Sequence, residues 1–216
     1  MNESYYKLCI NELNTIKDKK RILLHSCCAP CSSHVISFLS NYFDITILYY
    51  NPNISPIDEY LKRKEEQIKL IKELKTKNKV DFLDCDYECE KYQKAIKGYE
   101  SCKERGPRCT ICFNLRIEKT AQLAKELDYD YFCTTLTVSP YKNAKLINEI
   151  GIKYSKKYKV KWLYSDFKKD NGYKHSIELS KIYNLYRQDY CGCIYSKKER
   201  EEKNQDQISL IFYLVT

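Results

Sequence analysis

Three cysteine clusters carry the chemistry of this sequence: Cys27-Cys28 with Cys31, Cys109-x-x-Cys112, and Cys191-Gly192-Cys193. Cys27, Cys28, Cys109 and Cys112 arrive as two pairs, a set that suits a cubane iron–sulfur cluster. Zinc takes the same four thiolates, although adjacent cysteines are unusual where C-x-x-C knuckles are the rule. Cys31 is a fifth thiol: a ligand for a second metal, a substrate contact or a packed side chain. A C-x-x-C at a helix start puts both sulfurs within reach of one centre, and the helix N-terminus favours thiolate. Cys-Gly-Cys is a different signal. A disulfide across one residue closes a small strained ring, strained disulfides reduce easily, and Gly192 supplies the freedom the ring needs. The pair reads as a dithiol that hands on two electrons, or as two more metal ligands.

Twelve cysteines in 216 residues are a disulfide framework in a secreted chain and metal or redox groups in a reducing one. The start, MNESYYKLCINELN, lacks a basic-then-apolar signal layout, so a cytoplasmic protein is expected. No apolar run approaches the roughly 18 residues of a membrane span. The apolar run 208–215 is expected to dock as a strand or helix. Net charge is +9, from 38 Lys and Arg against 29 Asp and Glu, which favours a polyanionic partner such as nucleic acid.

Alternating elements must position these groups. Residues 1–20 read as a helix with Tyr5, Leu8, Cys9, Leu13 and Ile16 on its apolar stripe, Cys9 acting as a small buried hydrophobe. Residues 22–24 read as a buried strand that Pro30 punctuates, and a helix begins at a Ser32 cap. Strands follow at 43–50, 80–83, 131–137 and 160–164, with helices at 57–74, 87–98, 109–127, 141–157 and 176–185, and a break at Gly172. Phe113 packs beneath the C-x-x-C, and Arg116 is set to pair with a glutamate or a phosphate. Thr134, Thr135, Ser139, Pro140 and Lys142 line the end of the fourth strand. Strand–helix alternation implies a mostly parallel sheet covered on both faces, with ligands at the carboxyl ends of its strands. No repeat or linker divides the chain, so one catalytic domain is expected over 1–216, its motifs in 22–196 and a C-terminal extension at 197–216.

Six motifs, in order, resemble the QueH-type epoxyqueuosine reductases. They are His25-Ser26-Cys27-Cys28-Ala29-Pro30-Cys31, Asn51-Pro52-Asn53-Ile54, Arg108-Cys109-x-x-Cys112-Phe113 with Arg116, Thr134-Thr135-Leu136 with Ser139-Pro140, Asp166-Phe167-Lys168-Lys169, and Tyr186-Arg187-Gln188 with Tyr190-Cys191-Gly192-Cys193. The resemblance implies a Rossmann-like three-layer sandwich of the nucleotide-hydrolase type, with helices on both faces. It implies reduction of the epoxide of epoxyqueuosine in tRNA to queuosine, without cobalamin. By it, Cys27, Cys28, Cys109 and Cys112 hold a [4Fe-4S] cluster, Cys191 and Cys193 form a redox-active disulfide, and an additional iron sits beside the cluster with Cys31 and an acidic residue as candidate ligands. The electron donor is unidentified, and Cys85, Cys89, Cys102 and the tail fall outside the motifs.

Anticodon-loop recognition calls for stacking aromatics and backbone-contacting cations. Twenty-one tyrosines are available, and Lys168, Lys169 and Arg187 are the expected tRNA contacts. Tyr190, Asp166 and His25 are candidate proton donors, His25 being better suited to packing. Two other classes share parts of the pattern. A zinc-stabilised nucleic-acid-binding module explains the four paired cysteines but gives Cys-Gly-Cys no task. A thiol oxidoreductase uses Cys191 and Cys193 but leaves the paired loops idle.

Overall fold

The structure, a computed structural model, describes residues 4–215, with side chains as far as residue 205. Helix α1 (Tyr5–Thr15) leads into β1 (Lys20–His25), α2 (Ala29–Leu39), β2 (Phe43–Leu48), α3 (Ile57–Glu73) and β3 (Val80–Leu83). Then come α4 (Cys89–Ala95), α5 (Pro107–Glu126), β4 (Tyr131–Thr134) with a 3-10 turn at Thr135–Val138, α6 (Ala144–Tyr158), β5 (Lys161–Trp162), α7 (Gly172–Ile182) and α8 (Ile194–Val215). Among the described residues no helix is long and apolar enough to cross a membrane.

All strand pairs are parallel, and the order is β3-β2-β1-β4-β5. Ile22, Leu23, Leu24 and His25 of the central β1 are wholly buried, as the continuous apolar run requires of a strand covered on both faces. Right-handed crossovers put α2 and α3 on one face and α5 and α6 on the other. Accordingly α2 packs with α3 and α7, and α5 packs with α6, β1 and β4. The expected α/β sandwich is present. Successive strands are added in one direction from β1 to β3 and in the other from β4 to β5, so the carboxyl ends of β1 and β4 open a crevice at the switch point.

Several boundaries differ from the sequence reading, each for a local reason. Helix α2 begins at Ala29 rather than at Ser32, with Cys28 as its extended N-cap. Pro30 therefore lies in the first turn, where its fixed φ fits and no donor is needed. Strand β4 stops at Thr134 instead of Thr137, because the Thr134 hydroxyl accepts from the Leu136 N–H and starts the 3-10 turn. Asn143 caps α6 by accepting from Leu146 N–H at 3.2 Å, so that helix starts after Tyr141. Gly172 opens α7 instead of breaking the chain before it. Cys9 is fully buried on α1. The run 208–215 lies in the α8 backbone, and what its side chains pack against lies outside the described residues.

Asn148 fastens the last strand to the sheet's helical cover. Its amide accepts from Trp162 Nε1 and from Ser165 N–H, both at 3.0 Å, and donates to the Ser165 carbonyl at 2.8 Å. Trp162 lies so close to α6 that a Cβ on Gly151 would sit 2.2 Å from its ring. Ala in a helix gains up to about 1 kcal/mol over Gly, whereas overpacking costs roughly 1–3 kcal/mol. Gly151→Ala is therefore expected to lower the melting temperature despite its better propensity.

Helices α2 and α7 meet at His34 and His175, whose Nδ1 atoms are 3.0 Å apart. One ring must be neutral to accept. Burial, then the His175 charge, pull His34 down to about 4 from 6.5, against Asp170. Below about 6.5 the unfolded chain binds a proton that the folded one refuses, so stability falls with pH until about 4. Its greatest slope from this group is roughly 1.4 kcal/mol per pH unit. Urea titrations across this range should show a shallower acid loss for His34→Gln.

Candidate metal and redox site

The loop after β1 and the first turn of α2 put three sulfurs together: the ligand atoms of Cys27, Cys28 and Cys31 lie within 4.8 Å of one another. Cys27 and Cys28 are 3.8 Å apart, and Cys27 is 3.9 Å from the Thr135 hydroxyl. Gln188 donates its amide to Cys28 Sγ at 2.9 Å. Thiols so close lose protons unequally. Hydrogen bonds from Cys27 and Cys31, helped by Arg63 and Gln188, hold Cys28 well below the ordinary thiol value, while hydrogen bonds with Cys27 and Cys28, and then burial, hold Cys31 well above it.

Beneath this loop polar side chains tie the crevice walls together. The Gln67 carbonyl oxygen accepts from Ser26 at 2.6 Å and Ser32 at 2.8 Å. Asn51 donates to the Ser26 carbonyl at 2.8 Å. His25 is fully buried; its Nε2 lies 3.1 Å from the Tyr50 carbonyl and its Nδ1 2.8 Å from the Thr134 hydroxyl. A carbonyl only accepts, so Nε2 carries the proton and Nδ1 accepts from Thr134. Burial, then the Arg116 charge, push its pKa down to about 3. His25 is a neutral brace between strands.

Cys109 and Cys112 open α5 on the other wall and are not part of the touching trio. The Arg105 N–H donates to Cys109 Sγ at 3.2 Å. Burial outweighs the expected thiolate preference: it raises Cys109 and pushes Cys112 up to about 12, against the pull of Arg116. Arg116, only 1% exposed, pairs with no carboxylate among the described residues. Its Nε donates to the Cys112 carbonyl at 3.2 Å, and Nη2 is buried without a partner. Burial works against its charge, but Cys112, Cys191, Cys27 and Cys109 hold the pKa up. Both cysteine pairs thus share one guanidinium. Soft, clustered sulfur donors suit a thiolate-bound metal, and an unpaired buried cation is costly unless negative charge faces it. The residues fit such a centre.

Cys191-Gly192-Cys193 closes the site from the segment before α8. Arg63 of α3, 1% exposed, donates to the Cys191 carbonyl at 3.2 Å and pairs with Glu59 at 2.6 Å. Ser55 N–H donates to the Gly192 carbonyl at 2.9 Å. Gly192 has φ +129, and a Cβ there would lie 3.0 Å from Ile54 Cγ1. Sequence reasoning missed Arg63, which reads as a surface helix charge until the fold brings the loop across it. Cys191 and Cys193 are free thiols, as are the other ten cysteines. Cys191 Sγ meets Lys142 Nζ at 2.8 Å; Cys193 packs with Tyr92, Ile96 and Cys112.

Over these groups lies a cavity of about 510 Å³ lined by Cys27, Cys31, Arg116, Lys142, Tyr190 and Cys191, among others. Arg105, Arg187, Arg200 and Lys203 add further positive charge to the lining, against Glu104, Asp189 and Glu199. Arg187 is thus at the cavity, where it also donates to Ser180 Oγ at 3.0 Å. Lys168 and Lys169 do not line it, and Lys168 is paired with Asp166. Cys85, Cys89 and Cys102 stand apart from its lining. The start of the C-terminal extension belongs to the site. Glu199 accepts from Glu104 N–H at 2.9 Å and pairs with buried Arg108 at 3.0 Å. Nothing in the tail's sequence marked that role.

Removing one partner of a buried ion pair costs about 3–5 kcal/mol. Arg63→Met leaves Glu59 unpaired and releases the Cys191 carbonyl. It should lower the melting temperature and accelerate amide exchange in 186–193 more than in β1, as read by hydrogen-exchange mass spectrometry.

The family model described as Epoxyqueuosine reductase QueH matches residues 22–199. The Epoxyqueuosine reductase QueH of Streptococcus pyogenes is 47% identical over 179 residues, covering 82% of this chain and 70% of that protein. That of Staphylococcus epidermidis is 46% identical over 183 residues, covering 83% and 77%. That of Thermotoga maritima is 36% identical over 185 residues, covering 86% and 94%. The matched span takes in all three cysteine clusters, the cavity lining as far as Glu199 and every strand but the first two residues of β1; the chain belongs to the QueH family of epoxyqueuosine reductases.

Proposed function

We propose that this protein reduces the epoxide of epoxyqueuosine in tRNA to the alkene of queuosine. The epoxide takes up two electrons and two protons, and its oxygen leaves as water. Cys27, Cys28, Cys109 and Cys112 would hold a [4Fe-4S] cluster, with Cys31 the candidate ligand for an additional iron. Bound there, a cluster of this type supplies electrons one at a time. Cys191 and Cys193 supply two electrons when they close to a disulfide, releasing the protons their sulfurs hold, and an external reductant reopens it. The observation that carries this reading is Arg116, a buried guanidinium whose charge neighbours are Cys27, Cys109, Cys112 and Cys191, in a chain of the QueH family.

The chain's own groups divide the remaining work. Arg105, Arg187, Arg200 and Lys203 at the cavity contact the phosphates of a single-stranded loop. Tyr141, 60% exposed and 5.2 Å from the Arg105 guanidinium, offers a face for base stacking. Extruding the modified base carries its epoxide towards Cys27 and Cys31. Of the three candidate proton donors Tyr190 alone lines the cavity, its hydroxyl donating to the Ser55 carbonyl at a long 3.3 Å. His25 is committed to Thr134 and Tyr50, and Asp166 to Lys168. A tRNA substrate places the reaction in the cytoplasm.

Anaerobic purification followed by iron and sulfide analysis tests the centre. About four irons per chain, or more, with broad visible absorbance and conversion of epoxyqueuosine-containing tRNA are expected. Colourless protein holding stoichiometric zinc would point instead to a zinc-stabilised nucleic-acid-binding module. Cys191→Ser should keep its iron while losing sustained turnover with the physiological reductant.

A further inference from the structure

We propose that Lys142 makes Cys191 the reactive sulfur of the Cys191–Cys193 pair, the one that exchanges with a dithiol reductant entering through the cavity. The inference rests on the redox reading of that pair. The two sulfurs occupy different surroundings.

Lys142 comes from the turn that follows β4, where its N–H donates to the Ser139 carbonyl at 3.2 Å. The turn points the side chain inward, leaving it 10% exposed. Lysine is rarely so buried without partners, and the partners here are few. Nζ lies 2.8 Å from Cys191 Sγ, 3.5 Å from Glu104 Oε1 and 5.9 Å from the centre of the Phe113 ring. Burial alone would strip its proton; Cys191 and Glu104 reverse that and keep the ammonium. Glu104 is 30% exposed and Lys142 donates to it at a longer distance, so the closest acceptor is sulfur. An ammonium at hydrogen-bond distance stabilises the negative charge that develops on a sulfur as it leaves or is exchanged.

Cys193 differs: it is 6% exposed, Ser196 N–H donates to it at 3.4 Å, and the nearest cation effect on it, from Arg108, is one of charge without a hydrogen bond. Among the described residues no side-chain cation hydrogen-bonds it. It lies against Tyr92, Ile96 and Cys112 and does not line the cavity.

The asymmetry orders the exchange. With the pair closed, a thiolate of the dithiol attacks Cys191 Sγ. A new S–S bond joins Cys191 to the reductant, the bond to Cys193 breaks, and Cys193 leaves and takes up one proton. The reductant's second thiol gives its proton to water and displaces Cys191. Cys191 leaves as a thiolate beside the Lys142 ammonium, the reductant becomes a disulfide, and two electrons have entered the pair. A stabilised leaving group departs faster.

The test uses anaerobically purified, reduced enzyme treated with iodoacetamide at one neutral pH, with Cys191 and Cys193 peptides followed separately by mass spectrometry. Each alkylation forms an S–C bond and releases iodide. Cys191 should react on the order of tenfold faster than Cys193. Lys142→Met should lose most of that difference at unchanged iron content, and Lys142→Arg should recover it. An unchanged Cys191 rate in Lys142→Met overturns the role of Lys142. A second measurement does not depend on how the Lys142 variants fold. Oxidised glutathione should form a mixed disulfide with Cys191 in Cys193→Ser faster than with Cys193 in Cys191→Ser, and the reverse order overturns the proposal. Full turnover by Cys191→Ser would remove the redox reading of the pair, a failure distinct from equal alkylation of wild type and Lys142→Met.

Discussion

Arg116 carries a positive charge to the bottom of the crevice, where among the described residues no carboxylate meets it and one of its terminal nitrogens has no hydrogen-bond partner. Burying an unpaired guanidinium is expensive, and the cost falls only if negative charge forms nearby. The groups positioned to supply it are sulfurs: Cys27 from the loop after β1, Cys109 and Cys112 from the start of α5, and Cys191 from the segment before α8. The same charge helps to keep His25 neutral, so His25 serves as a hydrogen-bonded brace. The floor of the site is therefore one electrostatic unit built from three distant parts of the chain.

That unit exists because the sheet reverses its winding between β1 and β4. The cysteine loop follows one of these strands and the turn bearing Lys142 follows the other, and both emerge on the carboxyl edge. Loops there need fixing, and buried polar side chains do it. Gln67 accepts from Ser26 and Ser32, Asn51 holds the Ser26 carbonyl, and Asn148 holds Trp162 and Ser165. Arg63 extends the bracing across the crevice to Cys191. A site built from sulfur on loops owes its geometry to amides and guanidinium groups on helices.

Charge is distributed to match. The overall excess of +9 says little by itself, because many lysines are spent in surface ion pairs worth little, among them Lys168 with its close neighbour Asp166. What matters is the cavity, where Arg105, Arg187, Arg200 and Lys203 face three acids. Glu199 binds the first turns of α8 to Arg108, which sets Arg200 and Lys203 beside the opening. A segment outside every recognised motif thereby becomes part of the wall.

The alternation of strands and helices, the parallel sheet and the three cysteine clusters could be read from the chain, because hydrophobic period and residue spacing are local properties. The burial of Cys9, the extent of β3 and the helix opened by Cys109-x-x-Cys112 were legible for the same reason. Boundaries set by a single hydrogen bond were not, as at Thr134 and Asn143, nor was a helix that starts through Pro30. The partners of each charged group also lay beyond local pattern. Arg116 faces thiols instead of a glutamate, Arg63 clamps a loop 128 residues away, Cys31 joins Cys27 and Cys28, and Lys142 selects Cys191 over Cys193. Sequence determined which reactive groups the protein owns and the strand ends that carry them. Tertiary structure decided which of them meet, because burial and pairing depend on atoms far apart in the chain and close together only in the fold.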